Sequence, residues 1–179
     1  IVSSGSLSAT NTTINQPTIS ASENYAGGVV GNSGVATVSN FTFANTSVLG
    51  GTIKAHDTVS PADVPSYVGG FVGKVVSGTF ISGSMSATVS GKRTHVGGIA
   101  GAAGTSTSGV KASFSNLTIS GNITTESGTF GSDSGNSVIG GIAGVMQFAY
   151  RLARSALPTV SNVSIISPLI SGHGARVGG

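Results

Sequence analysis

Short segments in which apolar and polar residues alternate make up much of this 179-residue chain. The clearest segment runs from Asn116 to Ile123. One face of an extended strand there carries Asn116, Thr118, Ser120 and Asn122, and the other carries Leu117, Ile119, Gly121 and Ile123. A period of two is typical of a β-strand with one buried and one wet face. The pattern predicts an all-β fold.

A second pattern, apolar-Gly-Gly-apolar-apolar-Gly, occurs four times and begins a fifth time at the C-terminus. Its glycine pairs are Gly27-Gly28, Gly69-Gly70, Gly97-Gly98, Gly140-Gly141 and Gly178-Gly179. The first glycines lie 42, 28, 43 and 38 residues apart, and such periods are typical of solenoids and similar arrays. Residues 1–179 are therefore predicted to form one stacked β-repeat, solenoid-like array of about five units. The units start near residues 27, 69, 97, 140 and 178.

The glycine pairs have two possible explanations. In Tyr67–Gly73 both faces of an extended strand are apolar or bare, which favours a strand covered on both sides, where glycine allows a neighbouring backbone to approach closely. Alternatively, the glycines form a tight turn with positive φ.

One insertion predicts a helix. Apolar residues from Val145 to Ala156 recur with i, i+3, i+4 spacing, and Pro158 ends the pattern. We therefore predict a short helical insertion near 145–157. Arg151 and Arg154 lie off the apolar stripe, so this helix either packs on the side of the array or touches a membrane surface.

The composition limits the classes of partner. Only 7% of residues are charged, Ser and Thr together number 49, and cysteine is absent, which excludes disulfides and thiolate metal sites. The net charge of +3 comes from scattered basic residues, a distribution that does not indicate a nucleic-acid surface. The apolar runs are far shorter than the ~20 residues of a membrane-spanning helix. We expect neither a nucleic-acid partner nor a membrane span in this segment.

Six asparagines lie in Asn-X-Ser/Thr sequons, the acceptor motif for N-linked sugar. They are Asn11, Asn40, Asn45, Asn116, Asn122 and Asn162. When Val38–Phe43, Phe114–Ile119 and Val160–Ile165 are superposed, Asn40, Asn116 and Asn162 share one position. Asn11 joins them through the match between the N-terminal and C-terminal segments. These positions are predicted either to carry covalent glycans or to form a ladder of stacked asparagine side chains.

Residues that could support catalysis do not recur in register. The five acidic residues form no pair suited to glycoside hydrolysis, and the three histidines lack metal-ligand spacing. The glycine motifs lack the Lys-Ser/Thr of a phosphate-binding loop. We therefore predict no catalytic, metal or cofactor-binding residues and no enzyme activity. An ice-binding role would need stacked Thr-X-Thr motifs, but Thr105-Ser106-Thr107 has no counterpart in two other units.

Three stretches, Tyr67–Gly73, Ser77–Gly91 and Val96–Gly101, resemble GLUG-motif repeats. The resemblance extends over essentially all five units, with Val, Phe or Ile in place of the motif's usual Leu. It implies stacked β-repeats of the kind found in large bacterial or protist surface and secreted proteins, many of them adhesin-like. It implies no catalytic residues, because the motif is structural.

The two ends of the chain carry complementary halves of the glycine motif. Val177-Gly178-Gly179 is completed by Ile1-Val2, so the last unit is predicted to continue into residue 1 of a neighbouring copy, through either a covalent joint or docking. We expect a structural subunit or segment of an extracellular or cell-surface filament, N-glycosylated and assembled head to tail. The alternative is a surface adhesin stalk that binds host or carbohydrate ligands.

Overall fold

The computed structural model describes ten stretches of the chain. They are residues 7–21, 25–32, 41–56, 66–92, 94–105, 112–125, 138–148, 159–166, 169–172 and 176–178. The regular structure in these stretches is entirely β, with twenty strands and no helix. The described residues therefore contain no helix that could cross a membrane.

Successive turns of the chain add strands to the same four parallel sheets. Sheet A contains β1 (Leu7–Thr10), β2 (Thr13–Asn15), β6 (Phe41–Leu49), β10 (Gly78–Met85), β14 (Ala112–Ile119) and β18 (Thr159–Ile165). Sheet B contains β3 (Thr18–Ala21), β7 (Thr52–His56), β11 (Thr88–Lys92), β15 (Ile123–Thr125) and β19 (Ile170–Ser171). Sheet C contains β4 (Tyr25–Gly27), β8 (Ser66–Gly69), β12 (Thr94–Gly97), β16 (Val138–Gly140) and β20 (Arg176–Gly178). Sheet D contains β5 (Val30–Asn32), β9 (Val72–Val75), β13 (Ala100–Thr105) and β17 (Ala143–Phe148). The predicted stacked β-repeat fold is confirmed, and we call each A–B–C–D turn a coil.

The core consists of rows of apolar side chains that repeat from coil to coil. Phe43, Phe80 and Phe114 are paired in register on sheet A, and their rings stack with centroids 5.0 Å apart. Sheet B supplies a parallel row of Ile53, Val89 and Ile123, all fully buried. Because strands in a sheet lie about 4.8 Å apart, each side chain contacts its equivalents above and below. Repetition of the same apolar position in each coil therefore builds a continuous core.

The glycine motif forms the corner between sheets C and D. All four residues of β8 are buried, as expected for a strand covered on both sides. None of the described motif glycines has a positive φ; they are needed because the backbones approach closely. A Cβ on Gly69 would collide with the carbonyl oxygen of Val72, and one on Gly98 with the carbonyl oxygen of Gly141 in the next coil. The explanation by two-sided burial is confirmed, with a sharp bend at the second glycine.

The prediction of a helix near 145–157 is wrong over residues 145–148, which form a strand. Val145–Phe148 belong to β17 and pair in parallel with Ala102–Thr105. Over so short a stretch, helical apolar spacing does not exclude a strand, and pairing with β13 satisfies the backbone N–H and C=O groups. Residues 149–157 lie outside the described residues.

Candidate functional site

A row of asparagines bends the strands of sheet A at the same place in every coil. The residues at the bend have φ values in the left-handed region, and they are Asn11 (52°), Asn45 (50°), Ser82 (55°), Asn116 (53°) and Asn162 (49°). Ser82 stands between Asn45 and Asn116, because its neighbours Ile81 and Gly83 pair with the residues that flank both asparagines. Asparagine adopts this conformation more readily than most residues with a side chain. Backbone geometry therefore explains why asparagine recurs here.

The asparagine amides are joined by hydrogen bonds across neighbouring coils. Asn45 Nδ2 donates to Asn11 Oδ1 over 3.1 Å, and Asn162 Nδ2 donates to Asn116 Oδ1 over 2.6 Å. We call the five positions, Ser82 included, the asparagine ladder. Ser82 interrupts it, because a hydroxyl is too short to extend an amide chain over a rung of about 4.8 Å.

Replacing Ser82 by asparagine is expected to stabilise the protein. The new side chain would tolerate the φ of 55° and reach the amides on both neighbouring rungs, with a net gain of about 1 kcal/mol per hydrogen bond. Ser84→Asn is the matched control on the same strand. It lies outside the bend, and its Oγ donates to Ser47 Oγ over 2.9 Å.

Urea unfolding measures both variants. Ser82→Asn should raise the free energy of unfolding, whereas Ser84→Asn should lower it because asparagine is unfavourable within strands. Equal changes in the two variants would contradict the role of the ladder.

The register of sheet A differs from the predicted one in which sequon asparagines occupy equivalent positions in successive coils. Phe43 pairs with Phe80, and Phe80 with Phe114, so the residue equivalent to Asn116 is Asn45, five positions after Asn40. The prediction that Asn40 shares the ladder position is wrong, and Asn40 itself lies outside the described residues. Burial of Phe43 in the phenylalanine stack sets this register.

Asn122 is the one described sequon asparagine outside the ladder. It is exposed just before β15 at the corner between sheets A and B. Its Oδ1 accepts a hydrogen bond of 3.2 Å from the backbone N–H of Leu169 in the next coil. The sequence pattern placed Asn116 and Asn122 on one wet face, and both are exposed. The backbone bend and the hydrogen-bond partners, however, distinguish the two positions.

The outer face of sheet A carries hydroxyl groups and no charge. None of its six strands contains Asp, Glu, Lys, Arg or His. Two of its rows are hydroxyl residues in every coil. The rows are Ser8, Thr42, Thr79, Ser113 and Thr159, and Thr13, Ser47, Ser84, Thr118 and Ser164. These residues replace charge as the polar covering of the coils.

A column of rings runs along sheet C. Tyr25 and Tyr67 stack with centroids 5.5 Å apart, Tyr67 and His95 lie 5.3 Å apart, and Lys74 Nζ lies 5.4 Å from the Tyr67 ring centroid. Burial, and secondarily the neighbouring Tyr25, raises the pKa of Tyr67. Burial lowers the pKa of His95. Because Tyr67 is only 6% exposed, this column is mainly packing rather than an open aromatic surface.

The last coils of the stack expose apolar side chains at positions that are buried in the middle coils. Among the described residues, sheet D has four strands, whereas sheets B and C have five. Beside its last strand lies a depression of about 240 Å³ that is lined by the motif of the fourth coil, residues 138–144 and Met146. Val160, which continues the phenylalanine row, is 43% exposed. Among the described residues, this end of the stack therefore exposes apolar side chains that belong to core rows.

The acidic residues have a common location in the topology that the sequence did not reveal. Glu23, Asp57, Asp63, Glu126 and Asp133 all fall in connections from sheet B to sheet C. These connections lie outside the described residues. Within the described part of the chain, no group of three or more potential metal ligands was found.

The chain matches no protein-family model, no curated protein and no solved structure.

Proposed function

We propose that this chain is a structural segment of an extracellular filament, a β-solenoid shaft that continues by adding coils at its ends. The exposure of a core position in the last described strand of sheet A is the observation that carries the proposal. Val160 continues the buried phenylalanine row, but 43% of its surface is exposed, so this row can extend by packing a further coil against it. The proposal assigns no chemical reaction to the chain.

The first coil offers a layer that complements this end. Ala9, Ile14 and Ile19 occupy the same rows as Val160, Ile165 and Ile170. Ala9, Ile19, Ile165 and Ile170 are partly buried against the core. If one copy follows another in register, the small Ala9 lies over Val160 and two isoleucine pairs form beside it. A heterologous contact of this kind does not close and produces an open filament.

The proposed joint also completes the glycine motif. The sequence Ile1-Val2-Ser3 of a following copy would continue the motif that begins at Val177-Gly178-Gly179. Residues 1–6 and Gly179 lie outside the described residues.

The surface composition supports an extracellular location. Sheet A has no charged residue in its strands, and attached sugars would solubilise such a surface. The resemblance to GLUG-motif repeats also favours an extracellular location. We propose membership in that family from the sequence motif alone. The alternative, an adhesin stalk, would be favoured by a row of exposed aromatic side chains. Tyr25 and Tyr67 do share a row, but Tyr67 is buried, so the shaft is the better supported function.

A lysine at the end of the stack is expected to prevent assembly. Val160→Lys places a charge where the next coil would pack, and inward-pointing charges block strand addition at sheet edges. Its matched control is Ile81→Lys, because Ile81 is 38% exposed but lies in the third coil, in a row with Ala44 and Ser115. Both changes add the same charge to a comparably exposed apolar position.

Sedimentation velocity and negative-stain electron microscopy measure the result on chain produced without sugar in bacteria. The wild-type chain and Ile81→Lys should form linear particles that lengthen with concentration, whereas Val160→Lys should remain monomeric. A wild-type chain that stays monomeric at all concentrations would overturn the proposal. So would a Val160→Lys variant that assembles as the wild type does.

A further inference from the structure

The five sequon asparagines in the described part of the chain differ in whether their amide nitrogen donates a hydrogen bond. Four of them, at Asn11, Asn45, Asn116 and Asn162, belong to the asparagine ladder, where neighbouring rungs are about 4.8 Å apart. The nitrogens of Asn45 and Asn162 already donate to the next amide down. The oxygen of Asn116 accepts from Asn162, which leaves its nitrogen on the side of Ser82. A sugar on any of these three nitrogens would have to fit between packed rungs.

Asn122 has the opposite arrangement. Its oxygen accepts the Leu169 N–H, so the side chain is held in place while its nitrogen has no hydrogen-bond partner among the described residues. Its row continues with Thr88 below and Leu169 above, because Val89, Ile123 and Ile170 are paired in register. Neither neighbour is an asparagine, so a sugar would have no amide beside it to displace.

Exposed apolar surface lies beside Asn122. Leu169 is 57% exposed and Ile166 is 54% exposed, more than any other large apolar side chain in the described part of the chain. Both residues lie in the coil after that of Asn122, at the same corner between sheets A and B. There the backbone N–H of Ile166 donates to the carbonyl oxygen of Ile119 over 2.7 Å. A sugar on Asn122 would lie against them and cover surface that otherwise faces water.

We propose that Asn122 is an N-glycosylation site of the folded protein and that Asn45, Asn116 and Asn162 of the ladder stay unmodified. In the transfer, the bond between the anomeric carbon and the pyrophosphate of a lipid-linked oligosaccharide breaks. That carbon bonds to Asn122 Nδ2, an amide proton leaves, and the lipid pyrophosphate is released. Thr124 supplies the sequon hydroxyl. Because transfer precedes folding, a chain with sugar on an interior ladder residue cannot close its ladder and is lost from the folded fraction.

This inference rests on the extracellular location in the proposed function, but its test is separate from the assembly test, which uses chain without sugar. The full chain is secreted from a eukaryotic host, and the folded monomeric or assembled fraction is treated with peptide N-glycosidase in ¹⁸O-water. Peptide mass spectrometry then identifies each former glycan site by conversion of asparagine to labelled aspartate. We expect label at Asn122 and none at Asn45, Asn116 or Asn162.

Two variants give independent readouts. Asn122→Gln and Thr124→Ala should each remove the glycan from position 122 and increase retention on a hydrophobic column, because Ile166 and Leu169 become uncovered. Tm should stay close to that of enzymatically deglycosylated wild-type chain. Asn116→Gln should leave the glycan mass unchanged and lower Tm, because it removes a ladder amide from the left-handed bend. Bare Asn122 in the secreted chain would overturn the proposal, as would label at Asn45, Asn116 or Asn162 in the folded fraction.

Discussion

Phe80→Ala is expected to lower the free energy of unfolding by about 4 kcal/mol, the range found when a buried phenylalanine is truncated. Phe80 is 1% exposed, and its ring stacks between Phe43 and Phe114 at 5.0 Å on both sides. It also meets Phe71 edge-on at 6.4 Å. The neighbouring coils are held by their own strand pairing and cannot collapse into the space. Most of the cavity cost should therefore remain.

The neighbouring residue provides the control for this prediction. Ile81→Ala removes a side chain that is 38% exposed from the same strand, and should cost at most about 1 kcal/mol. Thermal unfolding should show Phe80→Ala with a Tm roughly 10 °C below that of the wild type. If the two variants had similar Tm values, the phenylalanine stack would not be the centre of the core.

Gly101→Ala is expected to cost about 3 kcal/mol, which is at the upper end for overpacking. A Cβ on Gly101 would lie 2.5 Å from the nitrogen of Val68 and 2.6 Å from the carbonyl oxygen of Gly73. Both are backbone atoms, so no side chain can rotate away to relieve the contact. The sheet D strand β13 would have to separate from the sheet C strand β8 of the preceding coil.

Gly31 occupies the same motif position in the first coil and serves as the matched control. The nearest atom to its Cβ position would be the carbonyl oxygen of Tyr25, at 3.3 Å. Gly31→Ala should therefore leave the unfolding free energy within about 0.5 kcal/mol of the wild type, or raise it slightly by restricting the unfolded chain. Chemical denaturation compares the two, and equal destabilisation would show that backbone conformation rather than close packing requires these glycines.

The fold class was predictable from local pattern, whereas the register was not. The alternation from Asn116 to Ile123 appears directly in burial, with Leu117, Ile119 and Ile123 inside. The pairing partner of Asn116 was predicted wrongly because Val38–Phe43 and Phe43–Val48 both present an apolar residue two positions before an asparagine. Only the contact of Phe43 with Phe80 distinguishes them. Helical spacing after Val145 was misleading for a related reason, since pairing with Ala102 outweighs local periodicity.

The sequence by itself determined that the chain stacks β-repeats, because alternation and the recurring glycine motif describe how each coil buries its own side chains. It also determined that the surface would be poor in charge. The tertiary structure alone decided which asparagines lie side by side and which glycines lie against a neighbouring backbone. Those features depend on the register between coils, and register depends on contacts between residues about one coil apart in the chain, such as Asn11 with Asn45 and Asn116 with Asn162. No local pattern contains that information.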